Sequence, residues 1–317
     1  MQGPFRFLSE SASLQRVDEP AHVCVSIGDI EYLVTYPAGV RPAYPGRVLE
    51  SFLGESPLAG DRVYVELVNG PPPDLGTWPI AASLGETWSI RKSGSLRCMC
   101  VGRPFDSPPN GLAAVWTGDA NRVMVYCSPE YTRLVERVPT MSFVGGYPVD
   151  QVVLMYYLAR RGGLLVHAAA MIAAERALLF PGVSGAGKST LTRSLSRDGW
   201  AELLSDDRVL VREAAGGYLA YGTPWPGEAG VALNHVAPLR AILFPARAAE
   251  TRITPLDPGQ ALERLLPVGS LLWHERELLP LQLALVERML KAVPAFELAW
   301  SPQRGVLTDM LEFLHRL

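Results

Sequence analysis

Apolar and polar residues alternate in short runs through the first part of the chain. The runs 23–27, 31–35, 62–68, 87–91, 95–101 and 122–127 are rich in Val, Tyr, Trp, Cys and Ile. An extended backbone sends successive side chains to opposite faces, so these runs read as strands. Clusters of Gly, Pro and Asp separate them at 37–46, 70–76 and 102–111. The spacing predicts an antiparallel sheet or partial barrel. The segment 41–53 reads as a short helix or a loop. Pro71-Pro72-Pro73 cannot lie in a central strand, because proline has no N–H to give the ladder.

The pattern changes after Gly145-Gly146. Residues 149–160 have helical spacing, with Val152, Leu154, Met155 and Leu158 apolar, and stop at Arg160-Arg161-Gly162-Gly163. Basic residues followed by glycine end helices. The apolar run 164–172, a turn at Ala173-Ala174-Glu175-Arg176 and the run 177–180 then predict a β-hairpin that feeds a Gly-rich segment. Further on, 189–196, 257–266, 281–292 and 305–317 read as helices. Asp257 is placed to cap the second of these, and Pro258 stands at its first helical position. The runs 203–204, 209–211, 239–244 and 296–300 read as strands. The expectation is an α/β protein with a β-rich accessory or recognition domain over 1–145 and an α/β domain over 146–317.

Composition narrows the class. The chain has 317 residues, 48% hydrophobic and 19% charged, which is globular and of about two-domain size. Its net charge of −3 supplies no basic field for nucleic acid. The longest apolar stretch, 162–174, contains His167 and falls short of the roughly 20 residues that span a bilayer. The N-terminal residues lack a basic flank followed by an apolar core, so no signal peptide is read. Cys24, Cys98, Cys100 and Cys127 show no metal-ligand spacing and read as free thiols of a cytoplasmic protein.

The chemistry is concentrated in a short stretch. Gly182-Val183-Ser184-Gly185-Ala186-Gly187-Lys188-Ser189-Thr190 matches GxxxxGK[ST] between a predicted strand and a predicted helix. Glycines let successive N–H groups curl around phosphate oxygens, and the helix start faces the same anion. The backbone of Gly182, Ser184, Gly185, Ala186, Gly187 and Thr190 would form the cradle. Lys188 would reach the β/γ-phosphates, and the Ser189 hydroxyl would ligate Mg2+. The bland alternative is an ordinary Gly-rich turn. Nineteen residues after Lys188, Asp206-Asp207 interrupts an apolar run. Such a pair can hold Mg2+ and take a proton from an attacking hydroxyl, or be two solvated turn carboxylates. His167 sits in the first hairpin strand, as a core histidine or as a partner tuning an aspartate. Arg240, Arg247 and Arg252 offer charge to a phosphoryl group or solvate the surface. Trp225 and Trp273 line a cleft or pack in loops.

His167, Lys188 twenty-one residues later and the following Asp206-Asp207 pair resemble the HPr kinase/phosphorylase superfamily over about residues 160–245. The resemblance implies a P-loop HPr-kinase-like domain with a mixed sheet, ATP and Mg2+ as cofactors, and an oligomer. It implies Asp207 as the catalytic base, His167 as its partner, Lys188 on the phosphates and Ser189 on the magnesium; Asp206, as the other member of the acidic pair, is a candidate magnesium ligand and catalytic residue. The family's Glu-x-Arg-Gly signature is not visible. The comparable stretch is 221–228, where Glu228 is the candidate replacement ligand. The pattern is similar to divergent members found beside peptide-modification genes, such as lasso-peptide tailoring kinases. The expected activity is γ-phosphoryl transfer from Mg-ATP to a serine or other hydroxyl of a precursor peptide or protein. The alternatives are a P-loop ATPase acting as a regulatory switch and a small-molecule hydroxyl kinase.

Overall fold

The computed structural model describes residues 5–6, 20–45, 47–54, 61–72, 74–102, 111–128, 132–142, 148–183, 185–196, 201–301 and 306–316. Ser184 and the expected domain boundary near 145 lie outside them. The chain is strand-rich mixed α/β, divided into two compact units, Met1–Tyr157 and Leu158–Leu317.

The first unit contains β1 (Phe5–Arg6), β2 (His22–Ile27), β3 (Ile30–Thr35), β4 (Arg41–Pro45), β5 (Leu53–Gly54), β6 (Asp61–Asn69), β7 (Ile80–Leu84), β8 (Trp88–Ser93), β9 (Leu96–Val101), β10 (Leu112–Thr117), β11 (Arg122–Cys127), β12 (Thr132–Val135) and β13 (Val138–Ser142). Nine of them form one sheet in the order β5-β2-β3-β6-β11-β10-β9-β8-β7, and β1-β4-β13-β12 form another. The larger sheet is open and mixed, where the sequence suggested an antiparallel sheet or partial barrel. Its fourth strand, β6, runs parallel to both neighbours, β3 and β11. The chain leaves the sheet edge between β3 and β6 to make β4 and a short 3-10 helix (Arg47–Phe52), and such long connections permit parallel neighbours.

Helix α1 (Val149–Ala159) was grouped with the second half on sequence grounds, yet most of it belongs to the first unit. Val149, Asp150 and Val153 surround a small cavity with Tyr32, Val34, Val65, Val123 and Val125 of the large sheet. Tyr156 meets Trp116 edge-on with ring centroids 5.2 Å apart. A helix buried on most sides joins whichever apolar surface covers it.

The second unit contains β14 (Gly163–Ala173), β15 (Arg176–Pro181), α2 (Lys188–Ser196), β16 (Glu202–Ser205), β17 (Arg208–Ala214), β18 (Gly217–Tyr221), β19 (Val236–Arg247), β20 (Arg252–Pro255), α3 (Pro258–Leu265), α4 (Leu279–Ala292), β21 (Ala295–Trp300) and α5 (Leu307–Arg316). Its strands pair in the order β15-β14-β17-β18-β19-β21-β20, and β15 also pairs with β19. The hairpin turn between β14 and β15 places Ala174 (φ 48°) and Glu175 (φ 58°) in the left-handed region. Two such residues match the strand twist as a two-residue hairpin turn requires. Asp257 caps α3 through a capping box with Gln260.

Strand periodicity divides the core. Leu164, Val166, Ala168, Ala170 and Ile172 of β14 pack with Ala261 and Leu265 of α3 and with Leu285, Val286 and Met289 of α4. Ala169, Met171 and Ala173 face the other way, packing with Leu191 and Leu195 of α2 and Met310 and Leu314 of α5. His167 shares the parity of the second set and therefore stands on the α2 side of the sheet. Among the described residues, no helix is long and apolar enough to cross a membrane.

Candidate functional site

The Gly-rich turn leaves the sheet at His167. Strand β15 pairs with β14 from Ala173 back to Ala168, and the Gly182 amide donates to the His167 carbonyl at 3.3 Å. Beyond that point another segment takes the place beside β14. The His167 amide donates to Val268 O at 2.8 Å, and the Ser270 amide to Leu165 O at 2.8 Å. Displaced from the sheet, the described residues 182–183 and 185–187 form the turn before α2. Gly185 (φ +82°) and Gly187 (φ +93°) adopt left-handed backbone that L side chains disfavour. A methyl group on Gly182 would lie 2.9 Å from Cβ of Ala186, so only glycine fits beneath the turn. Lys188 is 6% exposed, and its Nζ donates to Gly182 O at 2.7 Å and Val183 O at 3.1 Å. Desolvation holds its pKa below the ordinary lysine value. The nearby charge of Asp207 opposes that shift, and Arg208 adds to it.

On the other side of β14, one long strand is broken. β14 pairs with β16 at Ala170–Ser205 and with β17 at His167–Arg208. Asp206 and Asp207 form a bend between these pairs, with the Ala168 amide donating to Asp207 O at 3.0 Å. Ser205 Oγ pins the bend by accepting from the amides of Asp207 and Arg208, each at 3.2 Å.

The break separates the two carboxylates. Asp207 Oδ1 lies 3.1 Å from His167 Nε2, and Asp207 Oδ2 lies 3.8 Å from Arg208 Nε. A carboxylate can only accept, so Nε2 carries the hydrogen. Burial is the largest influence on Asp207 and raises its pKa. The His167 hydrogen bond, with the charges of Arg208, His167 and Lys188, outweighs it and holds the carboxyl below its usual range. Asp207 is therefore ionised at neutral pH and about one-third exposed.

Asp206 is 2% exposed and committed to backbone. Its Oδ1 accepts from the amides of Gly227 (2.7 Å) and Val231 (3.1 Å), and its Oδ2 from Ala229 (2.6 Å). These bonds tie down the loop that follows β18. A methyl group on Gly227 would stand 2.9 Å from Asp206 Oδ2 and 3.0 Å from Asp207 Cβ, so glycine is required for this approach.

The structure thus brings His167, Asp207 and Lys188 together, with Ser189 and Thr190 opening α2. Asp206 is turned into the loop, and Glu228 lies exposed in that loop's turn. Among the described residues, no group of three or more His, Cys, Asp or Glu could hold a metal by itself. Trp225 is buried, which favours packing, whereas Trp273 is 60% exposed. Sequence reasoning missed Arg208, the Ser205 pin and the 268–270 segment. Only Gly227 after two prolines hinted at the close approach over the acidic pair.

A glycine-rich strand-to-helix turn beside an acid–histidine pair is the class of site this fold carries. The model of the family described as ScmC, SynChlorMet cassette protein, matches residues 148–301, a stretch that contains every residue of the site. No curated protein matches the chain.

Proposed function

We propose that this chain is a Mg-ATP-dependent kinase with an HPr-kinase-like P-loop domain, transferring the γ-phosphoryl group to a serine or other hydroxyl of a peptide or protein. The observation carrying this reading is the ionised Asp207, bonded to His167 and within the field of Lys188 at the mouth of the Gly-rich turn. Residues 185–190 offer backbone N–H groups and a helix start to a polyphosphate. Among the described residues Lys188 Nζ bonds to two carbonyls of its own loop, which it can exchange for phosphate oxygens. Four free cysteines suit a reducing cytoplasm.

The donor set suits Mg2+ held in the way this ion prefers, by one protein oxygen, phosphate oxygens and water. Ser189 is that oxygen in this reading, with Asp206 spent on its loop. Bound there, the ion would neutralise charge between the β- and γ-oxygens. Asp207 accepts the proton of the acceptor hydroxyl as its oxygen bonds to phosphorus, and the bond to the β-bridging oxygen breaks to release ADP. His167 orients the Asp207 carboxylate. Lys188 stabilises the charge that gathers on the leaving oxygens.

The test incubates the protein with γ-labelled ATP, Mg2+ and an array of serine-containing peptides. Label on serine is expected, reduced about 10²- to 10⁴-fold by Asp207→Asn, with Mg-ATP affinity unchanged. Release of free phosphate at the same rate in both proteins, with no labelled peptide, would reject the kinase reading in favour of an ATPase.

A further inference from the structure

Arg240, Arg247 and Arg252 of the second unit have different surroundings. β19 runs parallel to β15 and pairs Ile242 with Leu179, so both strands end at the same edge of the sheet. The Gly-rich turn begins three residues beyond that pair. Arg247 is the last residue of β19, five residues beyond it. A methyl group built on Gly187 would stand 4.0 Å from Arg247 Nε. Arg240 lies on the same strand beside Leu239, which pairs with Ala177 near the start of β15. Arg252 lies on β20, opposite Ala299. Arg247 is therefore the arginine beside the turn. Its side chain is exposed and, among the described residues, makes no hydrogen bond or ion pair.

We propose that Arg247 is a phosphate-binding residue of this site, gripping the β/γ end of a bound nucleoside triphosphate together with Lys188. The proposal rests on the nucleotide reading above. A guanidinium is a planar fork that meets two phosphate oxygens at once, which an ammonium cannot do. Arg247 Nε stands beside Gly187, the residue before Lys188 and the start of α2. Among the described residues its side chain gives up no partner when it turns to an anion.

Titration calorimetry on the full chain with Mg-ATP, and separately with AMP, tests the proposal in wild type, Arg247→Gln, Arg247→Lys and Arg240→Gln. Arg247→Gln should weaken Mg-ATP about ten- to hundredfold and AMP little, since AMP lacks the β/γ end. Arg247→Lys should recover only part of the loss, and Arg240→Gln should match wild type within about twofold. The arginine is exposed, so thermal midpoints should stay together. If wild type binds Mg-ATP and Arg247→Gln binds it equally, the Arg247 assignment alone is wrong. If wild type itself does not bind Mg-ATP, the nucleotide reading falls and this proposal falls with it.

Discussion

The two adjacent aspartates should separate cleanly under the same substitution. Asp206→Asn leaves one carbonyl oxygen where there were two carboxylate oxygens. Gly227 and Val231 share Oδ1, and Ala229 alone uses Oδ2. In one amide orientation the Ala229 N–H faces an NH2 group; in the other, two amides lose their acceptor. At least one sheltered N–H is orphaned, at a cost of about 1–3 kcal/mol. The loss falls on the anchoring of residues 222–235, so hydrogen exchange of that segment is the direct assay. Amides there should exchange about 5- to 150-fold faster. Asp207→Asn keeps an oxygen for His167 Nε2 and removes charge interactions with Arg208, His167 and Lys188, none of which holds the 222–235 loop, so exchange of that segment should stay near wild type. The anchor assignment would be refuted if Asp206→Asn left that exchange within about twofold of wild type, or if Asp207→Asn accelerated it more.

Four further outcomes follow from the same geometry. The Asp207 carboxyl has a folded pKa below its unfolded value near 3.9, so its contribution to stability is complete above about pH 4 and lost as pH falls through the lower folded value. Denaturant midpoints of Asp207→Asn should therefore fall less steeply than wild type below about pH 4; parallel curves would contradict the assignment. Lys188→Met should weaken Mg-ATP at least about tenfold in calorimetry with little change in thermal midpoint, because an apolar stem replaces a desolvated ammonium. Gly222→Ala would drive a methyl group to 1.8 Å from Leu233 O and should lower the denaturant midpoint by the equivalent of about 2 kcal/mol or more. Gly230→Ala, at φ +72° with open space around it, should lose only about 1–2 kcal/mol.

Local patterns carried a good deal of the fold. β11 falls on the run 122–127, and β14, β15, α1 and α2 lie within a residue or so of their expected bounds. These elements have strong periodicity or sharp punctuation. β1, β7, β10, β12, β13, β18 and β20 went unrecognised, and the segment 41–53, expected as a short helix or a loop, holds β4 and β5 on either side of the 3-10 helix. β7 and β20 are short and mostly exposed, so pairing with a neighbour decides them more than their own composition. β18 follows Gly216-Gly217, a turn signal that sequence reasoning passed over. In the site, GxxxxGK[ST] was legible because the backbone it needs demands glycine. Arg208 and Ser205 were not, since both act on a bend that exists only because β14 pairs with β16 and β17, and the 268–270 segment was not, since it meets β14 from far along the chain.

Spacing and residue type alone determined that the chain is mixed α/β, that a Gly-rich turn joins β15 to α2, and that His167, Lys188 and an acidic pair accompany it. Those are properties of short stretches, where period and punctuation act within a few residues. Tertiary structure decided which aspartate faces the histidine. Strand alternation predicts that neighbours point opposite ways, but not which of them finds a partner. Pairing of β14 with both β16 and β17 sets Asp207 against His167 and turns Asp206 to the amides of 227–231. The same register, through β19, sets Arg247 beside Gly187 and leaves Arg240 and Arg252 elsewhere. Long-range strand pairing fixes these neighbours, and nothing within any one segment encodes it.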